Sequence, residues 1–460
     1  MIEPMSLTQL QQQLAAELQA TLHGDPVSFR RVSTDTRSLQ PGDLFVALSG
    51  PNFDGQRFLA QAKERGAVAA VVQQRQPVEL PQWQVSDSRI ALGKIAQLNR
   101  QQFAGPVFAV TGSSGKTTVK EMLASILRQQ GEVLATKGNL NNDIGAPLTL
   151  LEIAGHHQAA VIELGASAVG EIAYTVALTR PDVAILNNAM GAHLEGFGSL
   201  QAIVRAKGEI FDGLLPGGCA VVNLDDPNAD SWLSQTAERR RLTFGVDNPA
   251  ADVEACQLQR LDNGCYRFML RHGDRQVAVE LQVMGRHNVA NAAAAAAACR
   301  AQDLSLELIA SGLAGFQAVP GRMCPKQSAQ GALLIDDSYN ANPASVKAAV
   351  DVLAGLPGEQ RVLVLGDMAE LGDTAAEQHA EVGRYAAEQG IDRLLAVGAL
   401  SCHTVAGFNG INEGRAALFE DRPALVSALA ALSRPGVRLL VKGSRSAAMD
   451  RVVAALVEGA

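Results

Sequence analysis

Thr111-Gly112-Ser113-Ser114-Gly115-Lys116-Thr117-Thr118 is the stretch on which the reading of this chain turns. It follows an apolar run, Val107-Phe108-Ala109-Val110, and precedes a segment of helical character over 119–129. Strand, small-residue turn and helix start together make a phosphate-binding loop. The tight turn bares backbone N–H groups, and the helix N-terminus adds positive potential. In such a loop Lys116 bridges the terminal phosphates and the hydroxyl of Thr117 ligates Mg²⁺. The full signature has a glycine five residues before Gly115, where this chain has Val110. The bland alternative is a glycine-containing βα turn with a solvent-facing lysine; the order strand, loop, helix favours the phosphate site.

Outward from the loop, from about residue 85, apolar runs alternate with helical stretches. Those at 107–111, 159–164, 183–187 and 220–224 are nearly continuous, as expected of parallel strands covered on both faces. Parallel sheets bind ligands beyond the carboxyl ends of their strands, so the polar residues just past those ends are the informative ones. Glu163 closes the second strand; a carboxylate there holds Mg²⁺ opposite Thr117, or is a plain surface acid. His193, after the third strand, reads equally as a metal ligand or charge partner and as a simple loop histidine. Lys207, in Ala206-Lys207-Gly208-Glu209, reads by composition as an exposed helix lysine. Asn288 and Asn291, in Gly285-Arg286-His287-Asn288-Val289-Ala290-Asn291, share one face at the start of an alanine-rich helix. Paired amides there read a purine edge or cap the helix; both alternatives stand.

The first ~80 residues read as a small α/β module on the usual sizes of short elements. Leucines at helical spacing occupy 6–22, Pro41-Gly42 marks a turn, and Leu44-Phe45-Val46-Ala47-Leu48 is a short apolar strand. Residues 73–84, with proline and glutamine, read as a linker to the next module. A last α/β module begins near Gly321, with strands expected at 332–335, 362–365, 394–397 and 439–441. Polar clusters follow three of these: Asp336-Asp337-Ser338-Tyr339-Asn340-Ala341-Asn342-Pro343, Gly366-Asp367-Met368-Ala369-Glu370-Leu371-Gly372 and Lys442-Gly443-Ser444-Arg445-Ser446. Converging at one sheet edge, they would form a cleft facing the phosphate loop.

The 460 residues suggest about three domains at roughly 150 residues each. Hydrophobic residues at 47% and charged residues at 19% are globular proportions, which excludes a disordered chain. A formal charge of −8 argues against nucleic acid as the main partner, while local basic and backbone-amide sites can still hold a small anion. The six cysteines show no C-x-x-C pair and the glutamine-rich start has no apolar h-region. Reduced thiols in a soluble, cytoplasmic protein are therefore expected, with no membrane insertion. The seven alanines at 292–298 read as a closely packed helix.

Over essentially its whole length the chain resembles the Mur ligase family, the ATP-dependent amide ligases of peptidoglycan precursor synthesis. The resemblance is carried by Ser33-Thr34-Asp35-Thr36-Arg37, the Thr-Gly-x-x-Gly-Lys-Thr-Thr loop, the Gly285–Asn291 motif and the last α/β module. Family loops also carry valine or a similar residue at the position of Val110. Within the family, Asn139-Leu140-Asn141-Asn142-Asp143-Ile144-Gly145, the Asp337–Pro343 stretch and Leu365–Gly372 resemble the member that appends D-alanyl-D-alanine to UDP-N-acetylmuramoyl-tripeptide. The Asp-Asn-Pro-Arg motif usual in the sister ligase that adds the third residue is absent.

The resemblance implies an α/β fold of three domains. These are a small N-terminal UDP-binding module (1–84), a central P-loop parallel-sheet ATPase domain (85–320) and a C-terminal Rossmann-like domain (321–460). It implies catalytic roles for Lys116, Glu163, His193 and Lys207, the lysine as a CO₂-derived carbamate. Thr117, Glu163, His193 and Lys207 would then hold two Mg²⁺ ions. ATP contacts are implied for residues Thr111 to Thr118, for Asn288 and Asn291, and for Arg322 and Asp337. Substrate contacts are implied for Ser33, Asp35, Thr36, Arg37, Asn52 and Asp54, for Asn139 and Asn142, and for Tyr339 and Asn340. Ser444 and Arg445 would approach the incoming dipeptide. The partners expected are small molecules, with no nucleic acid, acting on a monomer. The rivals are a sister ligase adding one amino acid, including a folate polyglutamylating enzyme, and a P-loop kinase or switch. The chain has no Asn-Lys-x-Asp guanine-reading motif, which weakens the GTPase form.

Overall fold

Short apolar runs pair into sheets of five, nine and six strands, with two two-stranded ribbons, in a computed structural model that describes residues 1–50, 53–191 and 194–459. Leu7, Leu10, Leu14 and Leu18 form the buried face of α1 (Leu7–Leu18), which starts where the Ser6 hydroxyl accepts the Gln9 N–H. The first sheet contains β1 (Thr21–His23), β2 (Val32–Ser33), β3 (Leu44–Val46), β4 (Ala69–Val72) and β5 (Gln82–Gln84). Its order is β1-β5-β4-β3-β2, parallel except at β1.

The stretch expected as a linker is thus partly wrong: residues 82–84 are a strand inside the sheet. Trp83 is wholly buried, and its indole N–H donates to Gln11 at 2.9 Å. Glutamine disguises the strand because Gln82 is buried with its amide spent on the backbone of Gln76 and Val78.

Asp87 caps α2 (Ser88–Gln101), which leads into the nine-stranded sheet. Its strands are β6 (Val107–Thr111), β7 (Val133–Ala135), β8 (Ala159–Glu163), β9 (Val183–Leu186), β10 (Cys219–Asn223), β11 (Arg240–Val246), β12 (Val253–Arg260), β13 (Tyr266–His272) and β14 (Arg275–Glu280). The order is β7-β8-β6-β9-β10-β11-β12-β13-β14. Pairing is parallel as far as β12 and antiparallel beyond it, an extension for which the sequence reading holds no expectation. The four runs expected as parallel strands are β6, β8, β9 and β10.

One face of this sheet joins the N-terminal module in a common core, where Leu10, Trp83, Ile95, Ala109 and Ile162 meet. The other face is covered by α3 (Lys116–Leu127) and α5 (Arg286–Arg300), with α4 (Leu200–Gly208) on the opposite side. The seven consecutive alanines of α5, Ala292 to Ala298, are fully buried, and the helix packs against α3 and β11. Methyl side chains let its backbone lie close to the sheet at no rotamer cost.

The third sheet holds β15 (Cys324–Gln327), β16 (Leu333–Asp337), β17 (Gln360–Gly366), β18 (Arg393–Val397), β19 (Ala416–Phe419) and β20 (Val437–Lys442), ordered β15-β16-β20-β17-β18-β19. Only β15 runs antiparallel. Alternate residues feed opposite cores: Ile335, Leu363 and Leu440 on one face, Leu334, Val364 and Leu439 on the other. Helices α6 (Pro343–Ala354), α7 (Ala375–Glu388) and α8 (Ser401–Asn409) flank it, α6 begun by an Asn342–Ser345 capping box with proline first. The order places β16, β20 and β17 side by side, so the three polar clusters emerge at adjacent carboxyl ends.

All six cysteines are free thiols, as expected. Among the described residues no helix is long and apolar enough to cross a membrane. Ala295 of α5 is fully buried in a close-packed core. Ala295→Leu should lower unfolding stability by about 1–3 kcal/mol, read as a lower denaturant midpoint at unchanged slope.

Candidate active site

β6 ends at Thr111, whose hydroxyl donates to the Leu164 carbonyl at 2.7 Å and ties the start of the phosphate loop to the end of β8. Gly115 adopts φ +78°, and a Cβ there would stand 2.4 Å from Asn291 Oδ1 and 2.5 Å from Asn187 Nδ2. Conformation and close approach both require glycine. The turn is held from outside by Asn187 and Asn188, just past β9. The Ser113 N–H donates to the Asn188 carbonyl at 3.0 Å and the Ser114 N–H to Asn188 Oδ1 at 2.9 Å. The Ser114 carbonyl accepts from the Nδ2 groups of Asn187 and Asn188 at 3.0 and 3.2 Å. The N–H groups of Lys116, Thr117 and Thr118, in the first turn of α3, have no intrahelical acceptor and are the donors a phosphate takes.

Lys116 Nζ donates to the Gly112 carbonyl at 2.7 Å. Burial pushes its ammonium below the usual lysine range, with Glu163 opposing and Arg322 adding to the effect. Thr117 Oγ1 donates to Glu163 Oε2 at 2.9 Å and accepts from Arg322 Nη2 at 2.9 Å. The second carboxylate oxygen of Glu163 accepts from Asn141 Nδ2 at 2.8 Å. The donor set is therefore a hydroxyl and a buried carboxylate, hard oxygens that fit Mg²⁺, which takes one or two protein carboxylates beside the phosphates.

Asn288 and Asn291 do not cap α5; its N-cap is Gly285, without a side-chain bond. They form an amide relay instead. Asn187 Nδ2 donates to Asn291 Oδ1 at 3.0 Å, Asn291 Nδ2 to Asn288 Oδ1 at 2.9 Å, and Asn288 Nδ2 to the Met284 carbonyl at 2.7 Å. The phosphate loop is thereby braced against the alanine helix.

Lys207 corrects the compositional reading. It is 1% exposed, on the inner face of α4 beside Ile203 and Ile210, with Nζ 5.5 Å from the Phe197 ring centroid. Burial and the charge of Lys116 hold it down at about 7, against the pull of Glu171 and Glu209. A lysine in a helix reads as solvent-facing until packing overrides it. His193 and Asn52 lie outside the described residues.

From the third sheet, Tyr339 presents its ring to two guanidinium groups, Arg322 at 4.2 Å and Arg445 at 5.6 Å. Asp337 accepts from Lys442 Nζ at 2.6 Å and from the Met323 N–H at 3.1 Å, and Lys442 also donates to the Asn340 carbonyl. A cavity of about 1060 Å³ lies between the two sheets. Its wall takes in Ser113 to Thr118, Asn139, Asn142, Glu163, Asn288 and Asn291 on one side. Arg322, Asp337, Tyr339, Asn340, Ser444 and Arg445 wall the other side.

Thr111, Gly112 and Lys207 stand behind the wall, and the N-terminal candidates stand away from it. Asp35 and Arg37 form an exposed ion pair at 2.7 Å, the Ser33 hydroxyl donates to the Asp35 carbonyl, and Thr36 donates to Gln61. Asp54 caps its own turn at the Gln56 N–H. Sequence reasoning missed Asn141, Asn187 and Asn188. The last two follow β9, and the strand-end rule that found Glu163 would have found them.

Family models match three stretches: "Mur ligase family, catalytic domain" over 28–101, "Mur ligase middle domain" over 110–299 and "Mur ligase, glutamate ligase domain" over 321–445. An Escherichia coli K12 protein named UDP-N-acetylmuramoyl-tripeptide–D-alanyl-D-alanine ligase is 48% identical, with 97% of this chain and 98% of that one covered. A crystal structure of MurF from Acinetobacter baumannii superposes with TM-score 0.92 at 38% identity over 99% of both chains. MurF ligase from Thermotoga maritima, solved in complex with ADP, gives 0.83 at 29% identity over 93% of this chain and 97% of that one. On these matches, and with the loop, strand ends and cavity arranged as described, the chain belongs to the Mur ligase family.

Proposed function

We propose that this chain is an ATP-dependent amide ligase that joins D-alanyl-D-alanine to UDP-N-acetylmuramoyl-tripeptide, releasing ADP and phosphate. The observation that carries the reading is the cavity in which the phosphate loop faces three C-terminal strand ends. The E. coli relative, named for that reaction and matched over nearly both chains, supplies the substrates. In this proposal modules 1–84, 85–320 and 321–460 take the UDP end, ATP and the dipeptide, in a cytoplasmic monomer. Ser33, Asp35, Thr36, Arg37 and Asp54 hold the UDP end. No observation favours the sister-ligase or kinase readings.

A carboxylate does not condense with an amine in water unless it is first activated. The γ-phosphoryl of ATP passes to the terminal carboxylate of the tripeptide, giving an acyl phosphate and ADP. The amine of the dipeptide attacks that carbonyl, and phosphate leaves from the tetrahedral intermediate as the amide forms. Phosphoryl transfer asks the protein mainly for positioning and charge neutralisation. The first-turn N–H groups of α3 and Lys116 receive the phosphates, and Arg322 approaches from the C-terminal side, beside Thr117. Thr117 and Glu163 would hold Mg²⁺, which would supply further charge neutralisation there. In this proposal Asn288 and Asn291 would sit near the base, Asp337 near the nucleotide, and Asn139, Asn142, Tyr339, Asn340, Ser444 and Arg445 near the peptide substrates. Closure of the two sheets over the cavity excludes water from the acyl phosphate.

Lys207 is assigned the carbamate, as ligand of a second Mg²⁺ with His193. What supports this is its buried amine, neutral over much of the physiological range. Only the unprotonated nitrogen attacks CO₂, forming the N–C bond and releasing a proton.

With both co-substrates present, ADP release should be fast and stoichiometric with ligated product; omitting either should reduce it to background. Equal ADP release without D-Ala-D-Ala would return the chain to a kinase or switch. Lys116→Ala should lower kcat by about 10²–10³-fold with an unchanged melting temperature. Incubation with ¹³CO₂ should give a carbamate carbon signal that Lys207→Arg lacks. Because the amine takes up a proton as pH falls through about 7, that signal should fade below this point and persist above it.

A further inference from the structure

His379, on α7, takes no part in the chemistry above. Its side chain is 1% exposed, and both ring nitrogens are engaged. Nδ1 lies 2.7 Å from the Ala375 carbonyl, which can only accept, and Nε2 lies 3.0 Å from the Met368 N–H, which can only donate. These partners fix a neutral ring with its proton on Nδ1. A second proton, on Nε2, would set two donors against each other in a buried place.

Met368 lies in the 366–372 loop past β17. Met368 and Leu371 are buried anchors, while Ala369 and Glu370 between them line the cavity. The Asp367 carbonyl accepts the Ser444 N–H at 2.9 Å. The Asp367 carboxylate accepts the Ser401 N–H at 2.8 Å and its hydroxyl at 2.6 Å. Arg445, next in the chain after Ser444, lies over the Tyr339 ring. One run of contacts therefore leads from the imidazole through Met368 and Asp367 to the Ser444–Arg445 corner.

We propose that His379 is a positioning residue for the incoming amine: its neutral ring holds the 366–372 loop and, through the Asp367 carbonyl, the Ser444–Arg445 corner that receives D-Ala-D-Ala. The inference rests on the ligase reading and extends it to a residue outside the cavity. Burial holds the imidazole below the usual histidine range; the Ala375 carbonyl and Asp367 oppose this, and His403 on α8 adds to it. From α6 the charged groups facing α7 are Lys347 and Asp351, already bonded to Glu381 and Tyr385. With its folded-state pKa depressed, the native ring stays neutral through the ordinary histidine value and takes its second proton only at a pH well below it. Acid should therefore loosen the dipeptide corner before it harms the nucleotide site.

The test is steady-state kinetics of the full chain at pH 8 and at the most acid pH where wild type stays folded, comparing wild type with His379→Gln and His379→Ala. Glutamine offers an acceptor near Nε2 and does not titrate. His379→Ala should raise KM for D-Ala-D-Ala about tenfold at pH 8, the scale of one lost buried hydrogen bond, and leave KM for ATP within about twofold. Wild type should show a rise in dipeptide KM between pH 8 and that acid limit that His379→Gln lacks. Equal rises in both KM values, or the same acid rise in His379→Gln, would overturn the proposal. If His379→Ala melts below the assay temperature, the glutamine comparison alone decides. Wild-type ADP release that ignores D-Ala-D-Ala would instead fault the ligase reading, and that result is distinct from either.

Discussion

One hydroxyl joins the parts of the nucleotide site. Thr117 donates to Glu163 and accepts from Arg322, so the helix after β6, the carboxyl end of β8 and the start of the third sheet meet at a single oxygen. The meeting depends on strand order. β6 and β8 are parallel neighbours, with Val110 in register with Glu163, which brings the loop past one beside the acid that closes the other. Buried polar groups need partners, and here each satisfies the next: Asn141 takes the second oxygen of Glu163, and Asn187 and Asn188 take the backbone of Ser114. In the proposed reaction a phosphate and its metal would enter a place already shaped to hold their charges.

The third sheet repeats the geometry from the opposite side. Its adjacent strands β16, β20 and β17 send Asp337, Lys442 and the 366–372 loop to one edge. Asp337 and Lys442 neutralise each other there, which leaves Arg322 and Arg445, stacked on Tyr339, as cationic groups facing the cavity. In the proposed reaction the labour would divide by chemistry: the central sheet offers amides and oxygens suited to phosphate and metal, and the C-terminal sheet offers cations across the cavity from them.

Much of this was legible in the residues. The phosphate loop, the parallel strands around it and Glu163 at a strand end followed from apolar continuity and from where parallel sheets keep their ligands. What escaped has physical causes. Lys207 could not be seen as buried, because burial of a helix face is set by what packs on it. The strand at 82–84 hid behind glutamines whose amides bond locally. Asn187 and Asn188 stand just past β9, within reach of the strand-end rule, but what they do there, bonding the backbone of Ser114 more than 70 residues away, follows from no local pattern. The N-terminal candidates stand apart from the cavity, as residues for the far end of a long substrate would.

The alanine helix α5 has a consequence for how the site behaves under strain. A helix faced with long side chains can absorb a displacement by rotamer changes; one faced with methyl groups has nothing to rearrange. Asn291 is carried on that rigid rod and touches Asn187, which touches the phosphate loop. The loop's position is thus referred through Asn187 and Asn291 to a helix that has no long side chains on its buried face to rearrange.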